Sequence, residues 1–362
     1  MPGPPQLTDP WTLGPLRVPN RVLLAPLAGI GNWFVRLQAT RYGAGMTVSE
    51  MVSSHAIHYG NERTCVEMLR IHPDERTSGA GGSDGARGPV SIQLFGEDPA
   101  VMRSAAAHVA ATTDADAIDI NMGCPVPKVR RTGAGAALLA DPDLAVAVAR
   151  AAREGAMDAG RERGAGGIPI TVKLRSGLRP GDGSGFELAH RLVAEAGVAA
   201  IAFHPRSAAV QHKGVPDYEL AARLVESLPA PVVLTGGLSD ATRVREAFTR
   251  TGAAAVMLAR GSLGNPWLFR QLLSGDEREP TPTEVGDELR WTIDRAVEHL
   301  GEPRATRYLR KFYPWYVERL GLDRAHARAL CESLQRTESL ACVRELFQNA
   351  ATSRYTAALA AA

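Results

Sequence analysis

Residues 117–123, AIDINMG, form a short apolar, β-branched run that reads as a strand, and the Gly123-Cys124-Pro125 step after it can continue neither strand nor helix. Runs of the same kind recur: RVLLAP from 21, MTVSE from 46, VSIQLFG from 90, PITVKLR from 169, AAIAFHPR from 199, PVVLTGG from 231 and AAVMLAR from 254. Longer alanine-rich amphipathic stretches separate them, the alternation that builds βα units around a parallel sheet. Eight such strands within about 250 residues predict an α/β fold of the (β/α)8 TIM-barrel type. A doubly wound sheet is the competing architecture, but no GxGxxG follows the first strand.

With 362 residues, 45% of them hydrophobic, the chain can bury one large core and carry a smaller domain besides. SGDEREPTPTEVGDE, from 274, combines proline, glycine and acid and marks a boundary, so the barrel is expected over 1–275. The segment 284–350 is helical in pattern without a strand candidate, and is expected to form a C-terminal helical domain. Between the second and third strands, DERTSGAGGSDGARG is too rich in glycine, serine and charge to pack, and 76–88 is expected to be a flexible insertion. A formal charge of +2 selects no partner, so a nucleic-acid surface would have to be local. No run approaches the ~20 apolar residues of a membrane span, and the first residues lack the basic and apolar regions of a signal peptide. A cytoplasmic protein without membrane association is expected. Cys65, Cys124, Cys331 and Cys342 lie far apart with no CxxC or Cys/His spacing, which argues against both a zinc site and a disulfide.

In a barrel the chemistry gathers at the C-terminal ends of the strands. There the chain places Pro26, Glu50, Gln93, Asn121, Cys124, Lys173, Arg175, His204, Arg206, Gly236, Gly237 and Arg260. Thr235-Gly236-Gly237 after the seventh strand and Ala259-Arg260 after the eighth offer backbone N–H groups and a guanidinium, a place for a phosphate. Lys173 and Arg175, two residues apart, point to the same side of the sheet. Lys173 and Gln93 suit the oxygen and nitrogen edge of a flavin or a pyrimidine. A free cysteine is by default an inert hydrophobe, yet a loop at the barrel rim is where that reading fits Cys124 least.

Assembled in order, these pieces resemble the tRNA-dihydrouridine synthases, and among them the bacterial B-type branch. The resemblance rests on NRVLLAPLAGI at 20, GAGMTVSEMVSS at 43, DINMGCPVPKV at 119, GAGAALLADP at 133, ITVKLRSG at 170, HPRSAAVQHKGVPDY at 204 and GAAAVMLARGSLGNPWLF at 252, with RYLRKFYPWY at 307 extending it into the helical segment. It implies an FMN-containing barrel that reduces D-loop uridine in tRNA at the expense of NADPH, binding no metal. By motif, Pro26, Leu27 and Ala28 would line the flavin, Gln93 and Lys173 would bond its ring edge, and His204 would sit beside it. Thr235, Gly236, Gly237, Ala259 and Arg260 would hold its phosphate. Asn121 and Arg175 would meet the uracil, with Arg206 also on the substrate, and Cys124 would give a proton.

The chain departs from the family where Thr235-Gly236-Gly237 replaces an Asn-Gly-Asp turn, where Ala259 precedes Arg260 in place of glycine, and where Pro205 stands in HPR. The backbone donors for a phosphate survive these changes, but the side-chain contacts of the asparagine and aspartate do not. Between 303 and 328, Arg304, Arg307, Arg310, Lys311, Arg319, Arg324 and Arg328 face only Glu318 and Asp323, with Tyr308, Phe312, Tyr313, Trp315 and Tyr316 interleaved. That pattern fits an RNA face, with His212 and Lys213 adding to it, or an arginine-rich helix whose aromatics fill a core. Two other activities share parts of the pattern: an FMN barrel acting on a free small molecule, as in dihydroorotate dehydrogenases, and a flavin-free RNA-binding barrel.

Overall fold

The computed structural model describes residues 5–77, 88–162 and 166–360. Its strands are β1 Trp11–Leu13, β2 Leu16–Val18, β3 Val22–Leu24, β4 Met46–Ser53, β5 Val90–Phe95, β6 Ala117–Met122, β7 Ile170–Arg175, β8 Ala200–His204, β9 Val232–Thr235 and β10 Ala255–Leu258. Strands β3 to β10 pair in parallel in chain order, and β10 returns to β3 with Val256 opposite Val22, closing an eight-stranded barrel. These eight are the strands expected from the sequence. The expected insertion 76–88 lies mostly outside the described residues; its N-terminal flank is a short helix, Pro73–Thr77.

The hairpin β1–β2 has no counterpart among the sequence expectations, since three residues on each side of Gly14-Pro15 are too few for a period to show. Trp11, Leu13 and Val18 join the barrel interior with Leu23, Met46, Ala117, Ala200, Val233 and Ala255. Gly14, at φ +56°, packs its turn on Pro169 and Ala199, which precede β7 and β8. The hairpin therefore seals the N-terminal end of the barrel and leaves the opposite end for chemistry.

Alternation puts one face of each strand into the lumen. Toward the N-terminal end that face is apolar apart from Ser91; further along, Gln93, Asp119, Thr171 and Asn121 replace the aliphatics, all buried. Strand β4 shifts register between Val48 and Met51, a bulge beside this polar layer. The Ser49 hydroxyl there accepts from Gln93 N at 3.0 Å.

Behind the helix Trp33–Arg41 a buried ion pair ties in the segment that leads to residue 77. Arg36 Nε and Nη2 donate to Glu75 Oε1 and Oε2 at 2.7 and 3.0 Å, and His72 N donates to Oε2 at 2.8 Å. Arg36 also donates to the carbonyls of Gly31 and Arg70. Removing one member of a buried pair leaves an uncompensated charge. Glu75→Gln is expected to lower the unfolding free energy by about 3 kcal/mol, read by urea denaturation; wild-type stability would show that the remaining acceptors suffice for Arg36.

By its contacts the chain divides into two compact units, Met1–Ala259 and Arg260–Ala362. The second is helical: Trp267–Ser274, Pro282–Leu300, Glu302–Leu309, Tyr313–Arg319, Arg324–Arg336 and Leu340–Ala360. A capping box of Thr281 and Glu284 starts its longest early helix. Phe312, Tyr313 and Tyr316 are buried in this unit, with the Tyr316 hydroxyl 2.9 Å from that of Thr292, and burial pushes the Tyr313 phenol up to about 12. Three of the five interleaved aromatics are thus core, as amphipathic packing requires. Tyr308 and Trp315 remain partly exposed, and Lys311 Nζ lies 3.8 Å from the Tyr308 ring centroid.

Candidate active site

Cys124 lies in the loop after β6, partly buried, and its backbone is held from three directions. Asn121 Oδ1 accepts from Gly123 N at 3.2 Å and from Cys124 N at 2.9 Å. Ala136 N donates to the Cys124 carbonyl at 3.0 Å. Arg175 Nε donates to the Gly123 carbonyl at 2.9 Å. Gly135, at φ +63°, lets the 133–136 segment approach, since a side chain there would come within 3.1 Å of both the Cys124 carbonyl oxygen and Cβ.

Parallel pairing sets Asn121 opposite Lys173, and Arg175 opposite His204. Lys173 is half-buried, and burial together with the Arg175 charge pushes its ammonium down to about 8, while Asp119 opposes the shift. His204 is held well below the ordinary imidazole range by burial and by Lys173, Arg175 and Arg206, so the ring is neutral. Its Nε2 lies 3.3 Å from Arg206 Nη1, and its ring stacks at 6.2 Å from that of His212.

The two arginines assigned to substrate carry structural bonds. Arg175 is buried and also donates to the carbonyls of Ser207 and Gln211, at 3.2 and 2.7 Å, joining the Cys124 loop to the loop after β8. Arg206 Nη2 donates to the Gly214 carbonyl at 2.6 Å. Sequence reasoning could not assign these bonds, because every acceptor is a backbone carbonyl in an irregular loop.

At the end of β9, Thr235 turns its hydroxyl to the Met257 carbonyl at 3.0 Å. Gly236 and Gly237 follow at φ +100° and +80°. A Cβ at Gly236 would lie 2.4 Å from the His204 ring, and one at Gly237 would lie 2.6 Å from the Tyr218 hydroxyl, which itself donates to the Gly236 carbonyl. The turn is a bare backbone cradle. Gly236→Ala would combine a left-handed φ with displacement of His204, and is expected to lower the unfolding free energy by about 1–3 kcal/mol, read by urea denaturation; wild-type stability would show that the ring can yield.

In the first strand's loop, Leu27 is buried and Ala28 exposed, and the Leu27 carbonyl accepts from Ile30 N and Gly31 N, closing a turn after Pro26. Glu50, on the β4 bulge, accepts from Gly29 N at 2.7 Å and so holds this loop. Ala259 ends the first unit; Arg260 opens the second, in the turn Arg260–Ser262. Asp119 is a further residue of the polar layer, not among the candidates named from the sequence. It is buried, its Oδ2 accepts from Gln93 Nε2 at 2.6 Å and its Oδ1 from Thr171 Oγ1 at 2.6 Å. Gln93 Oε1 in turn accepts from Asn121 Nδ2 at 2.9 Å. An aspartate set between Ile118 and Ile120 in the middle of a strand was the available signal.

Residues 23–352 match the family model described as dihydrouridine synthase (Dus). The chain is 31% identical to tRNA-dihydrouridine synthase B of Proteus vulgaris over 93% of its own length and 98% of that protein's. Against tRNA-dihydrouridine synthase B of Pseudomonas aeruginosa it is 32% identical, over 92% and 95%. Among solved structures, a 2-naphthoyl-CoA reductase shares the barrel fold with a TM-score of 0.55 at 13% identity, over 76% of this chain and 53% of that one. The histamine dehydrogenase of Rhizobium sp. 4-9 gives 0.52 at 17%, over 78% and 50%. With a family model spanning residues 23–352 and B-type relatives matched over more than nine-tenths of both chains, the chain belongs to the dihydrouridine synthase family.

Proposed function

We propose that the protein reduces the C5–C6 double bond of D-loop uridine in tRNA, with FMN as its cofactor, NADPH as reductant and Cys124 as the proton donor to C5. The observation that carries the reading is the Cys124 loop, pinned at the C-terminal end of the barrel beside Asn121 and Lys173, in a chain of this family.

The residues present fit a flavin. A side chain at Gly236 or Gly237 would strike the His204 ring or the Tyr218 hydroxyl, so this turn presents backbone alone, and no described residue accepts a hydrogen bond from the half-buried Lys173 ammonium. Gln93 and Lys173 would bond the ring edge beside a neutral His204. Pro26, Leu27 and Ala28 would line it, and the backbone of Thr235, Gly236, Gly237 and Ala259 with Arg260 would hold the phosphate. When bound, the flavin supplies the hydride. Asn121 would orient the uracil, and Lys173 would stabilise negative charge at its carbonyls as Cys124 releases its proton.

A uridine in folded tRNA must be turned out of its stack to reach such a site, so the protein must grip the surrounding backbone. Lys128, Arg130 and Arg131 are exposed immediately after the Cys124 loop, as is Lys213 after β8, and none of these four pairs with an acid among the described residues. His212, beside Lys213, is exposed as well. In the helical unit Arg304, Arg307, Lys311, Arg324 and Arg328 are exposed, although Arg328 bonds Glu332. We assign tRNA binding to both surfaces, and place the activity in the cytoplasm, where tRNA is modified. Among the described residues no helix is long and apolar enough to cross a membrane, and no His/Cys/Asp/Glu group is arranged to hold a metal.

The test is a visible spectrum of the purified protein followed by an assay of NADPH-dependent dihydrouridine formation on unmodified tRNA. A flavin spectrum with product is expected. A colourless protein that FMN does not reconstitute would favour a flavin-free RNA-binding role, and turnover of a free pyrimidine but not of tRNA would favour a small-molecule oxidoreductase.

A further inference from the structure

The polar layer beneath Cys124 is a directional chain, and its direction has a root. A carboxylate can only accept hydrogen bonds, whereas a side-chain amide must donate at one end and accept at the other. Asp119 Oδ2 therefore obliges Gln93 to turn its NH2 group toward Asp119, which leaves Gln93 Oε1 to accept from Asn121 Nδ2. Asn121 in turn must present Oδ1 to the N–H groups of Gly123 and Cys124. Burial pushes the Asp119 carboxyl upward, and the bonds from Gln93 and Thr171 and the Lys173 charge hold it down. A proton there would sit on Oδ1, facing a Thr171 hydroxyl that can accept as well as donate, and Oδ2 would still accept from Gln93.

We infer that Asp119 is a positioning residue: by orienting the amides of Gln93 and Asn121 it fixes the backbone of Gly123–Cys124, and so the place of the thiol. The assignment rests on the proposed role of Cys124 for its consequence in catalysis, but the geometry can be tested without turnover. Buried networks of this kind are either satisfied throughout or broken, because each flipped amide leaves two like groups facing each other.

Asp119→Asn, Asn121→Asp and the double variant are isosteric and discriminate. In Asn121→Asp, carboxylates face Gln93 from both sides, and one of them must meet its carbonyl. In the double variant the whole chain reverses: the new amide on β6 at position 119 donates to the Gln93 carbonyl, and the Gln93 NH2 group donates to the new carboxylate at position 121, which still accepts from Gly123 and Cys124. In Asp119→Asn alone the new NH2 can turn to the Thr171 hydroxyl, which preserves the direction.

The readout is the alkylation rate of Cys124 by iodoacetamide in the flavin-loaded protein, mapped by peptide mass and taken for each variant on the plateau of its own pH profile. Cys65, partly buried in the same unit, reports any general loosening. Asn121→Asp is expected to change the Cys124 rate about ten-fold, Asp119→Asn by no more than about three-fold, and the double variant is expected to return within about three-fold of wild type. If Asn121→Asp does not fold, recovery of folding in the double variant is the expected result.

A double variant as far from wild type as Asn121→Asp, one that fails to fold beside it, or an Asn121→Asp protein that alkylates normally would overturn the inference. Cys124→Ala, assayed separately on tRNA, tests the proton-donor reading, so either idea can fail without the other.

Discussion

Cys124→Ala is expected to lower the single-turnover rate of uridine reduction by about 10²–10⁴, the range that general-acid catalysis contributes, while leaving flavin content and flavin reduction by NADPH near wild type. The separation follows from placement. Cys124 stands on the loop after β6, whereas the groups assigned to the flavin phosphate lie on the turns after β9 and β10. Among the described residues its side chain makes no hydrogen bond on which the loop depends: Asn121, Ala136 and Arg175 all hold backbone atoms. Alanine should therefore fold as wild type and bind tRNA as tightly, with the loss confined to kcat. Unchanged turnover would remove the thiol from the reaction, and a matching loss of flavin would make it structural.

Lys173→Met carries the second large effect. A half-buried cation with no acceptor of its own among the described residues, opposite Asn121, is placed to stabilise charge that develops on bound groups, and such donors are worth about 10²–10³ in rate. The pH dependence has a definite sign. With its ammonium pushed down to about 8, Lys173 is charged below that pH and neutral above it. The wild-type rate should fall as pH rises through this value, or through a higher one when an anion is bound beside it, but not begin to fall lower.

In Lys173→Met that limb should be missing and the rate low throughout. Linkage supplies the control: the unfolded lysine keeps its proton to higher pH than the folded one, so Lys173 makes wild-type stability rise with pH above about 8. Methionine removes this buried charge, so the variant should melt no lower than wild type at pH 7. A variant that melts lower, or a wild-type rate that rises across this range, would sink the assignment.

The barrel was legible because each of its strands is a short β-branched run bounded by breakers, and because parallel strands need long crossovers that separate those runs along the chain. Position alone then sends Gln93, Asn121, Lys173 and His204 to one end of the barrel, since the period of a strand and the rule of strand ends are properties of sequence order. The hairpin that seals the other end was not legible, because three-residue strands carry no period.

Bond direction and partner choice were also beyond a one-dimensional reading. Arg175 and Arg206, expected from the sequence on the substrate, also donate to loop carbonyls that only folding brings near. The aromatics between 308 and 316 divide between core and surface according to which helix faces are covered, which composition does not encode. Asp119 shows the limit most clearly. Its residue type announces a cost inside a strand, but the partners that meet this cost, Gln93 on β5 and Thr171 on β7, lie 26 and 52 residues away and become neighbours only through the register of the closed sheet.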